Sequence, residues 1–570
     1  MILTAVAALI LTGPKSRFTL ESKNGSWWFA GPDKAPFFSL GVCCVTTGAS
    51  YLEDDPSNPS YAAYRYYPTG KESWAEDTVE RLQAWNFNTI GAWSDAANLK
   101  KVSAPNLHFT PVLHMGSGAG APWRDMWDPQ IVKLMDDIAR DQIKALRGEK
   151  RVIGYFSDNE QGWWYGAMFD WAWKGPFSRI KLVDLFQKRY NTWTALTRDF
   201  EPDGATGFAG LKKSGRLYVR AGGHGIDAVG ACMEMLAERY YSLCNSIIKK
   251  YDPAALYLGD RYISNFYPAI ARAAGKYADV VSTNLNADWN DGSFTPFYLP
   301  SLHRLAKKPL MITEYYMCAA ENRSGNKNDS SGFPVVKTQA ARALGFQRST
   351  NIFLGTPYVV GAHWFQYCDE PKNGRGDGEN YDMGLVDVYN QPYEDLVRAA
   401  SELKLTDRHE APSIAPVAIP EIATADANDL NKWPREEAYV LPKSPSDRGD
   451  AFVAWTPAAA YVAVYWNEDR FPEALYKGGR IPVEDQPQVK ISGSFEPVAM
   501  RLLDKRKPTG PVSLESLVSG VRNTAIFRIP ASTFGLKELT PGVKLSLGVE
   551  LRTRSRAYTI RWNIAKPLAN

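Results

Sequence analysis

VIGYFSDNEQGWW, residues 152–164, is a short apolar run that ends on Asp158-Asn159-Glu160 and then on two indoles, Trp163 and Trp164. The run lacks the polar alternation of a half-exposed strand, which predicts a strand covered on both faces, as in a parallel sheet. Upstream, the amphipathic DPQIVKLMDDIARDQIKAL (128–146) predicts a helix. Before it stand HFTPVLHM (108–115), NTIGAW (88–93), the helical ESWAEDTVERLQAW (72–85) and the strand-like FFSLGVCCVT (37–46). Downstream, an insertion carrying the helix IDAVGACMEMLAERYYSLCNSIIKKY (226–251) leads to ALYLGDRY (255–262) and DVVSTNLN (279–286). PLMITEYY (309–316), YVVGAHWFQY (358–367) and the closing helix YEDLVRAASELK (393–404) complete the series. Eight strand–helix units in a row predict an α/β fold, a (β/α)8 TIM barrel, in preference to a doubly wound open sheet.

The rest of the chain reads differently. EAPSIAPVAIPEIATADANDL is rich in proline and alanine, and strands such as AFVAWT, AYVAVYW, AIFRIP and LSLGVELRT follow it. The expected division is a signal-peptide remnant over 1–15, the barrel over 16–410, a linker over 411–425, and an antiparallel β-sandwich over 426–570. The apolar start predicts a secreted or periplasmic protein. Six cysteines and six histidines, with no C-x-x-C or H-E-x-x-H, predict neither a disulfide framework nor a metal site. No phosphate-binding glycine loop calls for an organic cofactor. A net charge of +4 over 570 residues points away from a nucleic-acid partner, and no later segment is long enough to span a membrane. Eighteen Trp and 29 Tyr, many of them in loop-like stretches, suit a surface that stacks on sugar rings.

In a barrel of this kind the chemistry sits at the C-terminal ends of the strands. Glu160 ends the fourth strand and Glu314 the seventh, so both carboxylates aim into one mouth. Hydrolysis of a glycosidic bond needs such a pair, about 5 Å apart when the anomeric configuration is retained. Glu160 would be the acid/base, kept protonated by its neighbour's charge and by aromatic walls, and Glu314 the nucleophile. Strand-end positions make Trp93, His114, Arg261, Asn284 and Tyr316 candidate cleft residues, and Trp163 and Trp164 candidate sugar platforms. Asp158, close to the acid/base in sequence, reads as structural.

The blocks NFNTIGAWSD (86–95), IGYFSDNE (153–160), PLMITEYY (309–316), GAHWFQYCDEP (361–371) and GRGDGENYDMGLVDVYNQPY (374–393) resemble glycoside hydrolase clan A, and more closely the family 50 β-agarases. The resemblance covers roughly residues 16–405. It implies retaining cleavage of a β-galactosidic linkage in an agar-like galactan or its oligosaccharides, with Asn159, His363, Trp364, Gln366 and Asn380 as further substrate contacts. Long insertions after the first and fourth strands suggest exo-action. Two departures stand out. Only a short segment precedes the barrel, where these agarases often carry a sugar-binding-like domain, and YYMCAAENRS replaces their aromatic-His-Phe-Gly run after the seventh strand. Another clan A exo-β-glycosidase acting on non-algal glycans, and a carbohydrate-binding protein without turnover, are the rival readings. The C-terminal strands weakly resemble family 9 carbohydrate-binding modules, with Trp466 as a candidate platform.

Overall fold

Asp128 starts a helix as its position predicts. Its carboxylate accepts the Gln130 N–H, and Pro129 fills the first helical position, where no donor is needed. The helix Pro129–Leu146 then buries Met135, Ala139 and Ile143 along one stripe. This packing delivers the chain to the 152–160 run. The computed structural model describes residues 17–330, 333–408, 416–502, 510–518, 522–554 and 559–569. The expected signal segment lies outside them.

Seven strands form one parallel sheet in the order Tyr262–Ile263, Val281–Asn284, Leu310–Tyr315, Val359–Trp364, Ser39–Val42, Thr89–Ile90 and His108–Phe109. Gly154–Tyr155 pairs in parallel with Leu256–Tyr257. Two isolated parallel bridges, Phe109 with Val152 and Val112 with Phe156, tie that pair to one edge of the sheet. The Glu160 N–H donates to the Arg261 carbonyl at 3.1 Å, next to the opposite edge. The strands are shorter than the apolar runs suggest, because several runs leave the ladder before their ends. Cys44, Trp93, His114, Glu160 and Arg261 all take left-handed backbone, with φ between 48° and 63°.

The C-terminal part holds two antiparallel sheets. One is five-stranded, with Gly449–Thr456 and Ala459–Asn467 at its centre, and the other is four-stranded, built around Gln488–Ser492 and Lys544–Arg552. Val453, Val462, Phe527, Ile491, Val549 and Trp562 belong to the core between the sheets. Trp466 is buried in that core, so it is no surface platform. Gly449–Thr456 and Ala459–Asn467 are buried at every position. Their opposite face, with Phe452, Tyr461 and Tyr465, joins the core of the α/β part. Part of the expected linker is built into this unit: Ile419 donates to Pro567 O at 2.8 Å, and Trp455 donates to Pro420 O at 3.0 Å. Pro416 and Pro420 fit this edge because an edge position asks for no further donor. Among the described residues no helix is long and apolar enough to cross a membrane.

Candidate active site

The ends of the strands Val281–Asn284 and Leu310–Tyr315 lie side by side, with Asn284 in register with Glu314. Thr313 Oγ1 donates to Asn284 Oδ1 at 2.7 Å, which fixes the orientation of the amide. Asn284 Nδ2 is thereby turned outward, donating to Glu160 Oε1 at 2.8 Å and approaching Asn159 Oδ1 at 3.3 Å. Glu314 is held by other hands. Arg261 Nη2 donates to its Oε1 at 2.6 Å and also to Thr313 O at 3.0 Å. The Trp93 indole N–H reaches the same Oε1 at 3.4 Å. Arg261 itself is fully buried, with the rings of Trp93 and Phe156 at 5.7 and 5.5 Å from its guanidinium carbon.

Both glutamates line one cavity of about 590 Å³. Burial pushes the Glu160 carboxyl up, and the Glu314 charge pushes it further, to about 7, against the Asn284 amide donor. Burial raises Glu314 too, but the Arg261 guanidinium and the Trp93 N–H favour its ionised form. Among the described residues the contacting cation stands on Glu314 and not on Glu160, which favours ionisation of Glu314 ahead of Glu160.

Of the residues expected from sequence, Glu160, Glu314, Trp163, Trp164 and Tyr316 line the cavity. Arg261, Asn284 and Trp93 touch the carboxylates directly, and His114 packs against Trp93 with ring centres 4.8 Å apart. Asn159 stands beside them. Trp163 is 4% exposed; its N–H is spent on Asp260 Oδ2 at 2.8 Å and its ring stacks on Tyr241, so it is a fixed wall. Asp158 is buried and accepts from Gly116 N, Ser117 N, Ser117 Oγ and Tyr240 OH, a structural role.

The last two sequence blocks require correction. His363 is fully buried beneath the site, bonded to Ser39 Oγ at 3.0 Å, and burial lowers its pKa to about 3. Gly41 makes room for it, since a Cβ there would lie 2.3 Å from the ring. Trp364 points to the other side of its strand, as alternation demands, and donates to Met383 O at 2.8 Å among Tyr315 and Phe346. Gln366 and Asn380 are buried and do not line the cavity. Their neighbours Phe365 and Glu379 do. Sequence reasoning also missed Asn265 and Phe333, together with Tyr465, Arg470, Val518 and Thr524 from the two-sheet unit. Nothing in a single sequence links those last four to a site some 300 residues upstream. Among the described residues no cluster of His, Cys, Asp and Glu is arranged to hold a metal ion.

No family model matches the chain. It is 27% identical over 356 residues to beta-agarase B of Vibrio sp. (strain JT0107), an alignment covering 59% of this chain and 36% of that protein. Beta-agarase A of the same strain is 25% identical over 471 residues, covering 69% of this chain and 46% of that protein. The chain thus spans less than half the length of these curated relatives. Among solved structures, the one described as PfGH50B aligns with a TM-score of 0.56 and 20% identity over 68% of this chain and 66% of that one. One described as an agarase, AgWH50C, and one described as an exo-beta-agarase each align at 0.55 and 23%, covering 69% of this chain and 65% of the other. At these identities the structural likeness is one of fold.

Proposed function

We propose that the chain is a retaining glycoside hydrolase that cleaves β-galactosidic linkages in an agar-like galactan or its oligosaccharides, acting from chain ends. The observation that carries this is the pair Glu160 and Glu314 on one cavity, one facing an amide and the other a guanidinium. The two donors on Glu314 converge on Oε1, which leaves Oε2 for the anomeric carbon. In the first step Oε2 attacks while Glu160 gives its proton to the departing sugar oxygen, forming a glycosyl ester on Glu314. In the second, the Glu160 carboxylate takes a proton from water, and that water oxygen displaces Glu314 and restores both groups. Arg261 and Asn284 are positioning residues that hold the two carboxyl groups in opposite charge states. The names of the curated relatives support an agar-type substrate.

In this proposal the parallel strands close into a (β/α)8 barrel. The bridges at Phe109 and Val112 and the Glu160–Arg261 amide bond support closure between the sheet edges. The chain divides into this barrel over 16–410 and a C-terminal sandwich. Sandwich residues in the cavity wall narrow it on one side, which favours exo-action over passage of a continuous polymer.

The test is product profiling on agarose, porphyran, neoagaro-oligosaccharides and aryl β-galactosides. One short product from the start supports the reading, and a broad ladder from mid-chain scission contradicts exo-action. Glu314→Ala should lower turnover at least about 100-fold and regain part of it with azide, giving an inverted glycosyl azide. Glu160→Ala should spare substrates with good leaving groups. Full activity in both variants would remove the pair from the mechanism.

A further inference from the structure

The cavity carries a feature that the hydrolytic pair does not use. Arg470, on the turn after Ala459–Asn467, is the one cation lining it among the described residues. The other guanidinium groups nearby are committed, Arg261 to Glu314 and Arg375 to Glu379. Arg470 is exposed, and its guanidinium carbon lies 5.1 Å from the centre of the Trp164 ring and 5.3 Å from that of Phe471. Phe471 in turn meets Trp164 edge-on at 5.2 Å.

The turn that presents Arg470 is clamped to the segment that carries Glu160. Asp469 accepts the Tyr165 N–H at 3.2 Å, and the Arg470 N–H approaches the Tyr267 hydroxyl at 3.4 Å. Gly166 allows the contact to close, because a Cβ there would sit 2.1 Å from Phe471 O. The backbone that carries Arg470 is therefore held in place, and its guanidinium lies over an indole only four residues beyond Glu160. Stacking on an aromatic face partly desolvates a guanidinium and orients its fork, but leaves its N–H donors free in the ring plane. Such a fork suits an oxyanion with two or more oxygens better than a single sugar hydroxyl.

We propose that Arg470 is a specificity residue, contributed by the two-sheet unit, that reads an oxyanion substituent, a sulfate ester or a carboxylate, on the sugar chain beside Glu160. This deepens the galactan-hydrolase reading and rests on it. A neutral galactan would leave the fork to water, and an anionic one would exchange that water for charge-assisted hydrogen bonds.

The test measures binding calorimetrically in the full chain carrying Glu314→Gln, so that it does not depend on turnover. The ligands are a sulfated red-algal galactan oligosaccharide, its desulfated counterpart and a uronate-bearing galactan oligosaccharide. The expected result is affinity at least about tenfold higher for one or both anionic ligands than for the neutral one. Adding Arg470→Gln should bring the ratio close to one, and Arg470→Lys should restore part of it. Which anionic ligand gains identifies the substituent. Equal affinity for all three ligands, a preference that survives Arg470→Gln, or no binding of any of them overturns the proposal. A parent chain that hydrolyses neutral galactan but shows no anionic preference refutes this proposal alone. A parent chain that hydrolyses nothing, while the preference and its dependence on Arg470 persist, refutes the hydrolytic reading alone.

Discussion

Arg261 favours the ionised form of Glu314. It is fully buried and donates to Glu314 Oε1 at 2.6 Å, while Glu160 receives only the amide of Asn284. Replacing it with Met removes the cation that favours ionised Glu314, so the acidic limb of the kcat/KM profile should move to higher pH. Arg261→Lys keeps the charge and should move it less. The alkaline limb, which reports loss of the Glu160 proton, should stay near pH 7 in Arg261→Lys and move upward in Arg261→Met, because the Arg261 charge also lowers the Glu160 carboxyl. A pH–rate profile on an aryl glycoside checks this, with circular dichroism to confirm folding; an acidic limb that stays put in Arg261→Met would remove Arg261 from the assignment. This residue was legible from its place at a strand end. So were Trp93, His114 and Glu160, and all four take the left-handed backbone that costs an ordinary residue about 1–3 kcal/mol. His363 and Trp364 were not legible in the same way. Strand alternation puts one beneath the site and the other against the helix Gln339–Gly355, and the resemblance that named them carries no information on which face each occupies.

At the scale of elements, the turn at 469–472 and the helix Tyr165–Ala172 act as one piece. Gly166→Ala would drive a methyl group into Phe471 O and force the two apart, a strain typically costing about 1–3 kcal/mol. The expected outcome is a lower Tm together with a raised KM for oligosaccharides; an unchanged KM would separate the turn from the cavity. The parallel strands were legible because each is a short apolar run followed by a helical pattern. Their true ends were not, since past Ser39–Val42, Thr89–Ile90 and His108–Phe109 the chain stays largely apolar until the backbone turns left-handed at Cys44, Trp93 and His114. In the C-terminal part, Lys544–Arg552 alternates in burial as its sequence does. AAYVAVYW, expected to alternate like the strands around it, is instead buried at every position, because its second face packs on the α/β part.

At the scale of the molecule, the two-sheet unit is packed into the structure that holds the site. Trp289 meets Phe452 and Tyr465 across this junction, where Asp450 accepts Phe297 N at 3.0 Å, and within its own sheet Asp450 also accepts Tyr439 OH at 3.2 Å. Burial raises the Asp450 carboxyl to about 7. A folded value above the unfolded one means that its stabilising contribution is complete below the unfolded pKa, near 4, and is lost as pH rises through about 7. Asn mimics the protonated acid, accepting from Phe297 N and donating to the Tyr439 oxygen. Asp450→Asn should therefore leave Tm nearly unchanged at pH 4 and raise it at pH 8; the opposite order would contradict the protonated assignment. The presence of a second unit was legible in the composition change after His409, but its share of the cavity wall was not, because it depends on long-range docking. In the proposed reaction Glu314 attacks and Glu160 protonates, which retains the anomeric configuration. Proton NMR of the sugar released during early hydrolysis of a susceptible galactan oligosaccharide tests it most directly. The β-anomer should appear first and mutarotate later; first appearance of the α-anomer would rule out a glycosyl ester on Glu314.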